Sequence, residues 1–429
     1  MILINLGLEM HNLAKELWPL NRSITGKGLR ETLSVIRKHI PKIKIINVAS
    51  GKKILDWTVP KEWVVIDAYI KTPSGKKICE FRKNNLFLLG YSSPVNKIMP
   101  LDELQKYLYS IPEKPNAIPY VTSYYKKKWG FCISEKQRKK LIKGNYHVFI
   151  KTKFINGNLT YGEIFLPGKS KKEVFLSTYI CHPSMANNEL SGPVVSTYIA
   201  KWLQSQKKLK YSYRIVFIPE TIGSIAYISK NLKNMKKYIF AGFNVTCVGD
   251  NRCYSYLPSR NGNTLSDRIA KHILHWTDNN YKTYKWKDRG SDERQYCAPD
   301  VDLPIASIMR SKYGEYFEYH TSLDNLTKVV TPDGLEGGYN VLKKAIEAIE
   351  NNVFPLTNIV GEPQLGKRGM YPTLSKGQLK EEVKLLMETI TWSDGKHDLL
   401  NISEKCQCPI WKLYPIIDKL KKYKIIKFK

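Results

Sequence analysis

Leu6, Met10, Leu13 and Leu17 recur at helical spacing, as do Leu29, Leu33 and Ile36, with Pro19–Gly26 breaking the pattern between them. The first forty or so residues therefore predict two helices. From Asp56 to Tyr146 the period shortens: β-type runs such as Trp63–Ile70 and Asn85–Leu89 alternate with Pro, Gly and Ser turns. That stretch predicts a small, mostly β insert over 56–145. Beyond it, to Asn352, apolar strands alternate with helical patterns, the signature of an α/β sheet. The core domain is thus expected to combine 1–55 with 146–352.

A Pro/Gly-rich stretch, 353–374, reads as a linker, and 375–429 differs again in style. Leu379, Val383, Leu386 and Ile390 mark one amphipathic helix, Asp398–Ser403 leads into a second, and Pro409–Leu420 makes a third before the strand-like tail Tyr423–Phe428. Three helices and a terminal β element predict a winged helix-turn-helix. Trp411, Leu413, Ile416, Ile417 and Leu420 give the third helix a core or interface face, so protein packing is favoured over nucleic acid as its partner.

Within the core, the run Val174–Ile180 ends at Cys181-His182-Pro183, and a helical pattern follows the turn that contains Asn188, Glu189 and Gly192. Open α/β sheets bind ligands where a strand ends and a helix begins. Arg214–Thr221, Phe243–Asp250, Gly290–Arg294 and Glu318–Asp324 repeat the same logic, each ending in polar or ionisable residues. His182 and His320 are the strongest metal candidates, because neutral imidazole suits zinc. Glu220, at its own strand end, has the chemistry of a general base; its bland alternative is a first-turn acid serving a helix dipole.

Composition narrows the setting. With 69 basic and 38 acidic residues the net charge is +31, yet the lysines are spread along the chain as solvated surface residues are. No apolar run approaches a membrane span, and the N-terminus lacks the pattern of a signal peptide. The eight cysteines show no framework or zinc-knuckle spacing; Cys406 and Cys408 form a lone CxC. A cytoplasmic, reducing location is expected, with no membrane partner.

The blocks Asn21–Gly26, Ser123-Tyr124-Tyr125, Trp129–Cys132, the His182 segment, Pro219–Ser224, Ser291–Arg294 and Tyr319-His320-Thr321 together resemble a bacterial family of aminopeptidase-like proteins, often linked to surface-polysaccharide gene clusters. More distantly, the core resembles zinc aminopeptidases with two co-catalytic metals. The resemblance implies an α/β fold, a zinc-aminopeptidase-like mixed sheet sandwiched by helices, with a β-rich insert and a C-terminal winged helix. It implies that His182 and His320 are zinc ligands, Glu220 the general base and Tyr319 the residue that steadies the tetrahedral intermediate.

Several positions depart from that pattern. Asn188 stands where the bridging aspartate belongs, Thr221 where the second-metal glutamate belongs, and Ser184 where an aspartate orients the first histidine. The third acidic ligand falls on Thr246, or on Asp250 if the strand end is displaced. Losing three carboxylates argues against two dications. One zinc remains, held by His182 and His320 with Asp250 or Glu189. Asn188, Asp292, Arg294 and Arg22 are candidate substrate contacts: Asp292 for an amine, Arg294 for a carboxylate, and Arg22 as a clamp or as the cap of a helix break. Two functions stay open. One is an amide hydrolase acting on a short peptide or acylamino-sugar; the other is a degraded peptidase scaffold that binds or regulates. A homo-oligomer is expected in either case.

Overall fold

The computed structural model describes residues 5–370 and 381–429. Leu379, expected on the first C-terminal helix, lies outside the described residues. The chain forms two compact units, Met1–Asp267 with Asn280–Asn340, and Arg268–Asn279 with Val341–Lys429.

The first unit is built on an eight-stranded mixed sheet. Its strands are β1 (Lys44–Ala49), β2 (Asn158–Leu166), β3 (Glu173–Tyr179), β4 (Ser212–Ile218), β5 (Ile239–Asn244), β6 (Ser255–Leu257), β7 (Lys282–Thr283) and β8 (Ile305–Met309). They lie in the order β1-β2-β4-β3-β5-β8-β6-β7. The central β4, β3, β5 and β8 are parallel, and every residue of β3 is buried, as a strand covered on both faces must be.

The connection β3 to β4 runs to one side through α3 (Ser191–Ser205). The next, β4 to β5 through α4 (Ile222–Tyr238), crosses back over β3. Right-handed crossovers in opposite directions place α3 and α4 on opposite faces and make the carboxyl end of β3 the switch point. The expected helices α1 (Leu6–Leu17) and α2 (Lys27–His39) form, and both pack against α3. Gly192 lets the start of α3 press onto the sheet, since a Cβ there would meet Thr178 Oγ1 at 2.4 Å and the Val245 carbonyl oxygen at 2.5 Å.

A second, smaller sheet lies between β1 and β2 in the chain. Glu62–Lys71, Lys77–Ile78, Val95–Pro100 and Asn145–Ile155 form a four-stranded antiparallel sheet. The strand starting at Asn145 belongs to this small sheet, so the return to the core comes after residue 155 rather than at 146. Asn85–Phe87 is a 3-10 turn, not a strand. Trp63, Leu88, Phe131 and Val148 share one apolar cluster with Phe175 and Val216 of the large sheet and with Ile222 and Tyr227 of α4. The insert is therefore part of the core it interrupts.

In the second unit, α5 (Leu265–His275) supplies Arg268 and His272, and α6 (Pro332–Asn351) leads into it. Then follow α7 (Glu381–Thr391), α8 (Leu399–Lys405) and α9 (Tyr414–Lys422). Pro355–Thr357 pairs antiparallel with Ile426–Phe428, so part of the expected linker is a strand of the winged helix. Asp398 caps α8 through the Asn401 N–H and accepts both terminal nitrogens of Arg268 at 2.9 Å. His272 Nε2 accepts the Ile410 N–H at 2.9 Å. Leu413, Ile417 and Leu420 are buried, whereas Trp411 and Ile416 are half-buried with the Lys344 ammonium over the Trp411 ring.

Candidate active site

The parallel register aligns Tyr179 of β3 with Ile218 of β4, so the residues just beyond, His182 and Glu220, emerge side by side. His182 Nε2 lies 3.5 Å from Glu220 Oε2. The two imidazoles, His182 and His320, have centroids 5.7 Å apart. Tyr120 of the insert packs against both, at 5.0 and 5.3 Å. His182, Glu220, Thr221, Arg294 and His320 line a cavity of about 310 Å³ together with Trp57, Tyr120, Thr122, Tyr124 and Tyr125, and Ile24, Cys181 and Ile222 complete its wall.

The loops that deliver these groups are strained. Ser184, Thr221, Cys247 and His320 all have positive φ, at 35°, 63°, 53° and 54°. A left-handed β-branched residue such as Thr221 persists only when its surroundings hold it. Here the Thr221 N–H donates to Asp292 Oδ1 at 2.7 Å. Ala186–Leu190, the turn after His182, is a π-helical segment, a geometry common at functional sites.

That π turn brings Glu189 back onto His182, whose Nδ1 lies 3.0 Å from Glu189 Oε2. Glu189 Oε1 is 3.4 Å from Arg22 Nε, and Arg22 Nε also donates to the His182 carbonyl oxygen at 2.8 Å. Both side chains are wholly enclosed. A carboxylate on one ring nitrogen fixes the tautomer and turns the other nitrogen to the reaction space. Glu189 thus performs the orienting task that the absent aspartate at Ser184 would have performed. Ser184 itself donates weakly to the Trp18 carbonyl oxygen.

Electrostatics follow burial. Desolvation, with the charge of His182, pushes His320 down to about 3, leaving it a neutral imidazole. Burial works against a charged His182, but the Cys181 sulfur and the Glu189 carboxylate hold it above its ordinary value. Burial raises Glu220, while His182, the Ser291 hydroxyl and Arg294 oppose the rise. Asp292, fully enclosed and close to Glu220, is pushed up to about 8.

Other expected residues fall elsewhere. Asp250 is not gathered with the two histidines. Its Oδ1 accepts from the Ser311 hydroxyl and the Arg252 N–H, and its Oδ2 from Asn187 Nδ2 and the Ser311 N–H, all within 2.8–2.9 Å. Those four bonds give it a structural part. Asp250→Ala is expected to lower stability by about 2 kcal/mol in denaturant unfolding and to leave metal content unchanged.

Asn188 and Thr246 close a neutral trio with Tyr179, whose hydroxyl lies 2.7 Å from Asn188 Nδ2 and 2.6 Å from Thr246 Oγ1. Where a second metal would need carboxylates, the chain has uncharged hydrogen-bonded groups. Asp292 is sealed under Thr221 and Ser224 rather than facing the cavity, and Arg22 is buried behind His182. Tyr319 lies flat on His320, with centroids 3.9 Å apart, and is not among the cavity's lining residues. Neither Gly290–Arg294 nor Glu318–Asp324 ends a strand: the first opens a short helix and the second belongs to the loop after β8. Of the four expected substrate contacts, Arg294 alone lines the cavity. Tyr120, Tyr124 and Trp57 were not singled out by their chemistry; only the Ser123-Tyr124-Tyr125 block hinted at them.

Among the described residues, the one group of three donor side chains within 4.8 Å is Cys181, His182 and Glu189. It reads as a support rather than a ligand set. Glu189 is engaged by Arg22 and His182, while the Cys181 thiol, pushed up to about 11 by burial, accepts the Glu220 N–H. The donors facing the cavity are His182 Nε2, the neutral His320 and Glu220. They offer two imidazoles and a single carboxylate, with no second carboxylate on the cavity wall, and as a set they are not drawn within 4.8 Å of one another.

The fold is that of the zinc aminopeptidases. BSAP, a zinc aminopeptidase from Bacillus subtilis, superposes with a TM-score of 0.59 at 12% identity, over 80% of this chain and 94% of that one. A crystal structure from Clostridium acetobutylicum, named as a peptidase, superposes with a TM-score of 0.92 at 42% identity, over 99% of this chain and 96% of the other. The chain belongs to the family described as Domain of unknown function (DUF4910), whose model matches residues 11–352; a winged helix-turn-helix model matches 353–428. A C. acetobutylicum relative described as a polysaccharide biosynthesis protein with aminopeptidase-like domain is 43% identical, over 98% of this chain and 96% of its own length. Among the described residues no helix is long and apolar enough to cross a membrane.

Proposed function

We propose that the protein is a hydrolase that cleaves an amide bond in a small substrate, assisted by one zinc ion. The observation that carries this reading is the approach of His182 Nε2 and Glu220 Oε2, 3.5 Å apart, in a cavity that also holds a neutral second imidazole. His182 and His320 would hold the metal, which when bound would supply Lewis acidity to a carbonyl oxygen, and Glu220 beside them is kept as the base rather than as a ligand.

Ser291 Oγ donates to Glu220 Oε1 at 2.9 Å and leaves Oε2 toward His182 and the cavity. As a water oxygen attacks the amide carbon, Glu220 takes the water proton at Oε2. It then delivers that proton to the amide nitrogen as the C–N bond breaks, so one water is consumed and an acid and an amine leave. A carboxylate raised by burial is a better proton carrier in both directions near neutral pH than a solvated one. Glu189 keeps His182 in one tautomer throughout. Tyr319 holds His320 by stacking. The likeness to the C. acetobutylicum polysaccharide biosynthesis protein supports a place in polysaccharide metabolism. Eight free cysteines fit a reducing, cytoplasmic setting.

The neutral trio of Tyr179, Asn188 and Thr246 favours a second reading, a binding protein on a peptidase scaffold. Elemental analysis of the purified chain separates the two. The hydrolase reading expects about one zinc per chain, lost in a His182→Ala, His320→Ala double variant. No metal under zinc-replete conditions would leave the binding scaffold standing.

A further inference from the structure

The cavity's outer wall comes from the insert, and its chemistry is specific. Trp57 and Tyr125 meet edge to face at 5.9 Å, and the Tyr125 hydroxyl donates to the Thr58 carbonyl oxygen at 3.2 Å. Tyr125 is 56% exposed. Deeper in, the hydroxyls of Tyr120 and Tyr124 lie 2.9 Å apart, and Thr122 stands between them in sequence. This part of the wall combines flat aromatic faces with hydroxyl groups, beside the aliphatic Ile24 and Ile222. An aliphatic amino-acid side chain would gain nothing from those hydroxyls. A pyranose ring uses both, with its C–H face on the aromatic ring and its equatorial hydroxyls on the polar edges.

Charge points the same way. Arg294 lines the cavity, donates from Nη2 to Thr221 Oγ1 at 2.7 Å, and has no carboxylate ion pair among the described residues. Its remaining N–H groups are available to a planar acid. For a free α-amine the wall offers only Glu220, the carboxylate that the hydrolase reading already uses for proton transfer, since Asp292 is sealed beneath Thr221 and Ser224. About 310 Å³ accommodates a single substituted ring.

We infer that the cavity binds a carboxylate-bearing N-acylated monosaccharide, its ring against Trp57 and Tyr125 and its acid group on Arg294. The inference deepens the hydrolase reading, on which it rests only for placing the N-acyl group toward Glu220. Hydrolysis of its amide would consume one water and release a carboxylic acid and the free amino-sugar acid.

The test is calorimetric titration of the intact, zinc-loaded chain with N-acetylglucosaminuronate, N-acetylglucosamine and N-acetyl-leucine. The acidic sugar is expected to bind with a dissociation constant of about 1 mM or tighter, and the neutral sugar about tenfold more weakly. Trp57→Ala should weaken the acidic sugar about tenfold, whereas Trp57→Phe, which keeps a ring, should retain most of the affinity. N-acetyl-leucine binding as tightly as the acidic sugar would overturn the inference. So would unchanged affinity in both Trp57→Ala and Tyr125→Ala, once circular dichroism shows them folded. Sugar binding with no amide turnover removes the hydrolase reading and leaves this one. Turnover of N-acyl peptides with no sugar binding does the reverse.

Discussion

Glu189→Ala is expected to destabilise the protein by about 3–5 kcal/mol, because it leaves the Arg22 guanidinium buried without its counter-charge. It also removes the acceptor on His182 Nδ1, so zinc affinity should fall about 10–100-fold. The two effects can be parted. A double variant, Arg22→Met with Glu189→Leu, replaces a buried ion pair by apolar groups and should recover most of the lost stability in urea unfolding. It should not recover metal affinity, since no carboxylate then faces the imidazole. If Glu189→Ala unfolds at the wild-type midpoint, the buried pair does not have the part assigned to it.

The second large effect is a loss of stability in acid that originates in the winged-helix unit. Burial, with the nearby His275, pushes His272 down to about 4, and its Nε2 must stay unprotonated to accept the Ile410 N–H. The unfolded chain takes up a proton near pH 6.5, so between about 6.5 and 4 it binds more protons than the folded one. Stability from this group is complete above that window and is lost as pH falls through it, by about 3 kcal/mol in total. His272→Gln keeps an acceptor for Ile410 but cannot titrate. The difference in unfolding free energy between wild type and variant should therefore shrink by that amount on going from neutral pH to pH near 4. A difference that does not change with pH would show that His272 is not buried neutral.

The sequence carried the helical starts at Leu6 and Leu29, the β3–His182 turn and the three C-terminal helices because each is a local periodicity closed by a local breaker. His182, His320, Glu220 and Arg294 were legible as residue types, and the structure lines one cavity with them. Other roles depended on spatial partners far away in the chain. Whether Asp250 faces a metal or ties down Asn187 and Ser311 is decided by a loop some sixty residues on. Glu189 reads as a substitute ligand until a π turn, which has no sequence signature of its own, carries it back to His182 Nδ1. The strand at Pro355 escaped because three residues among Pro and Gly carry no period, and its partner is the last strand of the chain. Tyr120 was invisible for the same reason, since nothing near it in sequence indicates two histidines.

That tyrosine has a consequence for how the molecule comes into being. Residues 118–120 are stitched to the His320 loop by backbone bonds, from the Tyr120 N–H to the His320 carbonyl oxygen and from the Ser322 N–H to the Ile118 carbonyl oxygen, while the Ile118 N–H donates to Ser322 Oγ across 204 residues. Contacts so distant in sequence close late, because the loop entropy between them must be overcome first. During synthesis the insert waits for the C-terminal part of its own domain before the second imidazole has a seat. A chain shortened by deleting the insert would therefore not be the same fold with an open cavity, but one whose His320 loop has no edge to fold against.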